Sequence, residues 1–284
     1  MIKYRFGFLI VSITLLFTSC NKDFKDLPAD SSVVADNDVI SDSYSVDLED
    51  ITSLALLSDP NSGGREQSGG LDDRFTCANI MRTPSTTEQY TGIIEIDFGT
   101  DGCKDSKGNT RKGKMIIAYK GKRYLPGSKV TTNLENYSIN NLKVEGVRAT
   151  TFGSASKETR PVITTELKDG KVTWPDGTFS THDFVHTRTW YRQTNPAQDY
   201  WTVTGSGKGT TKKGVKYDMV ISKDLLYKKQ CEATGVFIAV SGIKTITKED
   251  KNIVIDYGNS ICNNLVTVTS NGVSKVIEIH KKGL

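Results

Sequence analysis

From Cys77 onward the apolar residues recur at every second position in short runs, with turn residues between the runs. Alternation of this kind puts successive side chains on opposite faces of a strand, so it excludes a helical body. Ile94, Ile96 and Phe98 share one face, as do Met115, Ile117 and Tyr119. Further runs lie at Leu142–Val144, Val172–Trp174, Phe184–Trp190, Trp201–Val203, Val215–Ile221, Val236–Val240, Ile253–Tyr257, Leu265–Val268 and Val276–Ile279. Turns are expected at Lys107-Gly108-Asn109, Pro126-Gly127, Asp169-Gly170, Pro175-Asp176-Gly177 and Asn271-Gly272. The last is a strong two-residue hairpin signal, because Asn and Gly tolerate positive φ. The fold class expected is all-β, an antiparallel meander of about a dozen strands. Apolar residues are 36% of the 284 residues, enough with 25 glycines to bury a core.

Residues 1–75 differ from this body. Lys3 and Arg5 precede an apolar run from Phe6 to Phe17, too short for a membrane span and fit for a signal peptide. Leu15-Leu16-Phe17-Thr18-Ser19-Cys20 resembles a bacterial lipobox, with Phe17 standing where Leu, Val or Ile is usual. The resemblance implies a signal peptide at 1–19 and acyl chains on Cys20, which tether the body to a membrane without embedding it. The Lys/Asp-rich start at Asn21–Asp26 is similar to surface-directed lipoproteins of Bacteroidetes-type bacteria. Residues 20–75 read as an acidic tether with a short helix. Its polar part runs to about residue 40, and helical spacing appears at Leu48, Ile51, Leu54, Ala55 and Leu57. The chain from Cys20 to Phe75 carries four basic and thirteen acidic residues, whereas the body from Thr76 carries 31 and 20. That asymmetry reads as a solvated basic surface or as attraction to polyanions such as acidic glycans. Export excludes nucleic acid as a partner.

The body, 76–284, contains an internal repeat. Ile96-Asp97-Phe98-Gly99 precedes Cys103, and Ile255-Asp256-Tyr257-Gly258 precedes Cys262 at the same offset. Cys77 and Cys231 lie upstream of the two copies, which span about 77–120 and 231–281. The repeat favours disulfides Cys77–Cys103 and Cys231–Cys262. Pairing between the copies and free thiols are the alternatives.

The stretch Gly92–Gly99, Cys103, Gly108–Lys114, Leu134–Asn140 and Lys143–Arg148 resembles a family of Bacteroidetes lipoproteins to which no activity is assigned. The resemblance implies a β-rich body in the cell envelope and carries over no catalytic residue.

Few residues suggest chemistry. His182-Asp183-Phe184-Val185-His186 mimics a zincin motif, but its neighbours make it a strand, with the imidazoles about 13 Å apart. Two exposed strand histidines are expected there, and no metal. Asp97 and Asp256 read as turn caps rather than as paired catalytic carboxylates. A loop cation site at Asp101, Asp105 and Asn109 matches no calcium spacing. Trp174, Trp190 and Trp201 are candidates for stacking on a ligand, against core packing as the alternative.

The expectation is therefore an outer-membrane-anchored lipoprotein with a binding or envelope-structural role, no catalytic residues and no cofactor. It contacts the membrane through its lipid, and a glycan or other envelope component is the candidate ligand. A glycan hydrolase or an accessory subunit of a transporter are the alternatives. A buried pocket in which ionisable groups converge would overturn the non-enzymatic reading.

Overall fold

The computed structural model describes residues 29–63, 72–106, 108–153, 160–249 and 251–279, apart from 233, 235 and 237. The signal segment and Cys20 lie outside the described residues.

Fourteen antiparallel strands form one sheet: β1 Asn79–Pro84, β2 Thr91–Asp97, β3 Cys103–Lys104, β4 Thr110–Lys120, β5 Lys129–Ile139, β6 Leu142–Phe152 and β7 Val162–Thr173 in the first half. The second half comprises β8 Phe179–Tyr191, β9 Tyr200–Thr210, β10 Lys216–Lys228, β11 Ser241–Lys248, β12 Lys251–Asn259, β13 Leu265–Ser270 and β14 Val273–Glu278. Each strand pairs with its sequence neighbour, except that short β3 pairs only with β4 and leaves β2 beside β4. The all-β meander expected from the alternation is the observed fold. Asn271 and Gly272 join β13 to β14 with φ of 51° and 75°, the left-handed pair that a two-residue hairpin requires. Asn140 and Asn141 make the same kind of turn between β5 and β6.

Three local expectations fail. Asp169-Gly170 is not a turn but an irregularity inside β7, with Asp169 at φ 55° and the register shifted between Leu167 and Lys171. Val236–Val240 is not a strand. It is a loop that buries Val236 and Val240 against Cys231.

The third concerns the N-terminal segment. Helix α1 spans Ala29–Leu57, so most of the expected tether is helical. Its buried residues Ser31, Val34, Asp38, Ser41, Ser45, Leu48, Thr52 and Ala55 recur at alternating steps of three and four, a continuous seam along one side. Four of those eight positions are Ser or Thr and one is Asp; Ala35, Tyr44, Ile51 and Leu56 are buried beside them. The helix is about 43 Å long at 1.5 Å per residue. Its polar contacts walk back across the sheet: Ser31 to Ser270 on β13, Asp38 to Lys244 on β11, Thr52 to Thr132 on β5. Beyond its end, Asp59 accepts from the Tyr119 hydroxyl on β4 at 2.9 Å.

The core has two halves along this axis. The C-terminal half of α1, with Leu48, Ile51 and Ala55, packs on β2 and β4–β7, including Ile94, Ile96, Met115 and Ile117. Val34 and Ala35 pack on β9–β13, including Met219, Ile246, Ile255 and Val268. Disulfides Cys77–Cys103 and Cys231–Cys262 join the pairs that the repeat favours. The repeated Asp has one job in both copies: Asp97 accepts from the Gly99 N–H at 2.9 Å and Asp256 from the Gly258 N–H at 2.8 Å.

Candidate binding groove

The acidic helix meets a basic sheet face, and the meeting occurs at three places. Arg111 of β4, 1% exposed, donates to Asp47 of α1 at 2.8 Å and to Asp105 at 2.7 Å. Arg188 of β8 grips both oxygens of Glu49 at 2.8 and 3.0 Å, and Arg148 of β6 donates to the same carboxylate at 2.8 Å. Lys244 of β11, fully buried, bridges Asp38 and Asp42 at 2.7 and 2.6 Å. These contacts account internally for part of the charge asymmetry between the two segments. They also place Asp105, weighed and set aside as part of a loop cation site, against a guanidinium.

Ionisable groups therefore do converge, and sequence reasoning missed this centre. His182 is 2% exposed rather than on the surface. Its Nδ1 lies 3.0 Å from the Tyr217 hydroxyl and its Nε2 3.6 Å from Asp42. The burial of His182 has a physical cause. Gly205, Gly207 and Gly209 of β9 lie opposite His186, Phe184 and His182 of β8, on the face toward α1. A Cβ on Gly209 would stand 2.6 Å from the Tyr217 hydroxyl, and one on Gly207 3.1 Å from Met219. The bare strand gives large side chains from both neighbours room to lie beneath the helix. The Gly-x-Gly-x-Gly pattern was the available signal.

Asp38, Asp42 and His182 bring ligand atoms within 4.8 Å of one another. The Lys244 ammonium sits between the two carboxylates, where a metal ion would have to bind. Burial opposes the Lys244 charge, yet the two carboxylates hold its pKa well above the ordinary lysine value. Burial also works to raise Asp42, but Lys244 and His182 outweigh it and hold it far below the usual carboxylate range. Asp38 is raised by its complete burial, against the pull of Lys244. His186, stacked on Phe184 at 4.2 Å, is pushed down to about 4 by burial.

Next to these ion pairs a groove opens between α1 and the sheet. Its upper lobe, about 220 Å³, lies between Asp42–Asp50 of the helix and a largely apolar wall that includes Phe184, Val203, Leu225 and Ile238. Its lower lobe, about 310 Å³, lies between Glu49–Leu57 and a wall that includes Arg123, Phe152, Trp190 and Trp201. Glu49, Arg148, Ile163, Arg188 and Trp201 border both lobes, so the Glu49–Arg188 pair stands at the waist.

The tryptophans divide. Trp190 and Trp201 are cross-strand partners on β8 and β9, and both line the lower lobe. Trp174 follows β7 and packs against the core half around Ile94. Each ring carries a cation: Lys212 at 3.4 Å over Trp174, Arg192 at 4.7 Å over Trp190, Arg188 at 5.5 Å over Trp201. Tyr227 stacks on Trp201 at 5.7 Å and Tyr124 meets Trp190 edge-on at 5.8 Å.

The fold thus defines a class by geometry: one meander sheet carrying a long acidic helix across one face, with a two-lobed groove beside it. No family model, curated protein or solved structure matches the chain. No helix among the described residues is long and apolar enough to cross a membrane.

Proposed function

We propose that this protein is a lipid-anchored component of the bacterial outer membrane whose β body holds a small ligand, without transforming it, in the groove beside α1. The anchor rests on the lipobox resemblance at Cys20. The observation that carries the binding role is the groove itself. Its walls set apolar side chains beside convergent charged groups, a combination that suits a ligand, and the lower lobe falls at the low end of the roughly 300–1,000 Å³ of such sites. A polymer has little room there. The converging ionisable groups support a structural reading better than a catalytic one. Asp38 and Lys244 have no exposed surface, and the acids are matched by cations from the sheet. A general acid or base must reach its substrate's proton within hydrogen-bond distance.

The neutral dye Nile red tests the site. With the full chain in lipid nanodiscs and empty nanodiscs as blank, saturable binding is expected, and Ile163→Trp, which fills the border of both lobes, should abolish it. Dye uptake that Ile163→Trp leaves untouched would reject the groove. The anchor has a separate test: Cys20→Ala should remove the protein from the detergent phase on partitioning, and continued partitioning would reject lipidation.

A further inference from the structure

The two lobes differ in charge. The lower one is bordered by four cations, Arg123, Arg148, Arg188 and Lys229, and two acids, Glu49 and Asp50. Arg148 and Arg188 share the single carboxylate of Glu49. Arg123 makes its hydrogen bonds to neutral partners, the Ser53 carbonyl at 3.3 Å and hydroxyl at 2.8 Å. The Nε of Arg123 and that of Arg148 are buried without a hydrogen-bond partner among the described residues. Burial lowers the pKa of both guanidinium groups below the ordinary arginine value, against the upward pull of Glu49. Desolvated cations with unfilled donors are destabilising unless an anion meets them. The lobe also has an apolar lining of Leu56, Val130, Phe152, Ile163 and the two indoles, beside the hydroxyls of Thr52, Ser53 and Thr150.

We infer that the lower lobe takes an amphiphilic organic anion, a carboxylate or phosphate monoester on a short alkyl or aryl body. The acidic head meets Arg123 at the cationic rim, where a fork of donors suits a carboxylate or phosphate. The apolar body lies along Ile163, Phe152 and Trp201. This assignment rests on the reading that the groove holds a ligand, and adds the ligand's charge and polarity. Arg123 is singled out because its bonds to the chain are to uncharged groups, so a ligand need not break an ion pair to engage it.

The test uses the full chain in nanodiscs and follows the fluorescence of Trp190 and Trp201 during titration with octanoate, octyl phosphate and octanol. Saturable changes are expected with the two anions, with octanol binding at least about tenfold more weakly, the size of one charge-assisted hydrogen bond. Arg123→Gln should weaken the anions about tenfold and leave octanol unaltered, and Arg123→Lys, which keeps the charge without the fork, should recover only part of the loss. Binding of one anion alone supports the inference and fixes the head group. Equal binding of octanol and octanoate, or anion affinity indifferent to Arg123→Gln, overturns the inference while leaving the groove reading intact. Nile red binding without any anion binding does the same. Failure of Nile red as well removes both. Should Arg123→Gln not fold by near-ultraviolet circular dichroism, the octanoate-to-octanol comparison on the unaltered protein decides alone.

Discussion

Lys244 has no exposed surface and two carboxylates within 2.7 Å. Removing the ammonium strands fully buried Asp38 beside half-buried Asp42, and stranding one partner of a buried pair typically destabilises by about 3–5 kcal/mol. Lys244→Met should lower the urea-derived stability by about that much, and adding Asp38→Leu and Asp42→Leu should recover most of it. An unaltered urea midpoint in the single variant would show that the bridge contributes nothing. His186 sets a pH dependence. Its folded pKa of about 4 lies below the ordinary value of 6.5 because it is buried, with Lys244, His182 and Arg188 opposing its charge and Asp42 favouring it. The unfolded chain therefore binds a proton that the folded chain refuses, and stability falls as pH drops from about 6.5 to 4. Asp42 adds to the loss at lower pH, since its folded pKa lies below its unfolded one and its stabilising contribution is present above about 3.8. Urea midpoints at pH 7 and pH 5 should differ in the wild type, and His186→Gln should narrow the difference.

At the scale of elements, α1 and β9 depend on one another. The helix buries Val34, Ala35, Tyr44, Leu48, Ile51, Ala55 and Leu56 against the core, and ion pairs and close approach to the sheet add to that packing. The approach needs the bare glycines of β9. A Cβ at Gly209 would collide with the Thr181 carbonyl as well as the Tyr217 hydroxyl. Gly209→Ala should destabilise by about 1–3 kcal/mol through overpacking and loosen the His182–Tyr217 contact. Calorimetry measures the first, and the histidine ring resonances measure the second. Gly214, whose added Cβ would meet nothing within 4 Å, serves as the control. Its φ of 76° disfavours a side chain on backbone grounds alone, so Gly214→Asn, which tolerates that region, is the substitution to compare.

The whole molecule is one open sheet whose flanks are stapled. Cys77–Cys103 fixes the approach to β1 onto β3, and Cys231–Cys262 fixes the β10–β11 connection to the loop before β13. They span 26 and 31 residues, loops for which chain entropy predicts about 3–4 kcal/mol each. The double variant Cys231→Ala/Cys262→Ala should lose about that stability in denaturant, with the loop around Val236 and Val240 exchanging amide protons first. Non-reducing peptide mapping that found all four thiols free would remove the staples from the argument.

The sheet was legible because period-two alternation and Asn-Gly chemistry are local properties, written residue by residue. The same holds for the Ile-Asp-aromatic-Gly turn and the cysteines spaced around it, where a repeat favoured one of three pairings. The groove was not legible. Its two tryptophans were visible as residues, but that they share one lobe while Trp174 does not depends on strand register. The extent of α1 was hidden because the N-terminal part of its buried side mixes Ser31, Asp38, Ser41 and Ser45 with Val34, Ala35 and Tyr44, and polar groups are buried there only where a sheet supplies the matching partners. Lys244, Arg111, Arg148 and Arg188 look like surface charges in a basic strand sequence. Only the pairing of strands far apart in the chain puts them under one acidic helix, because the energy of a buried ion pair depends on distances that no local pattern encodes.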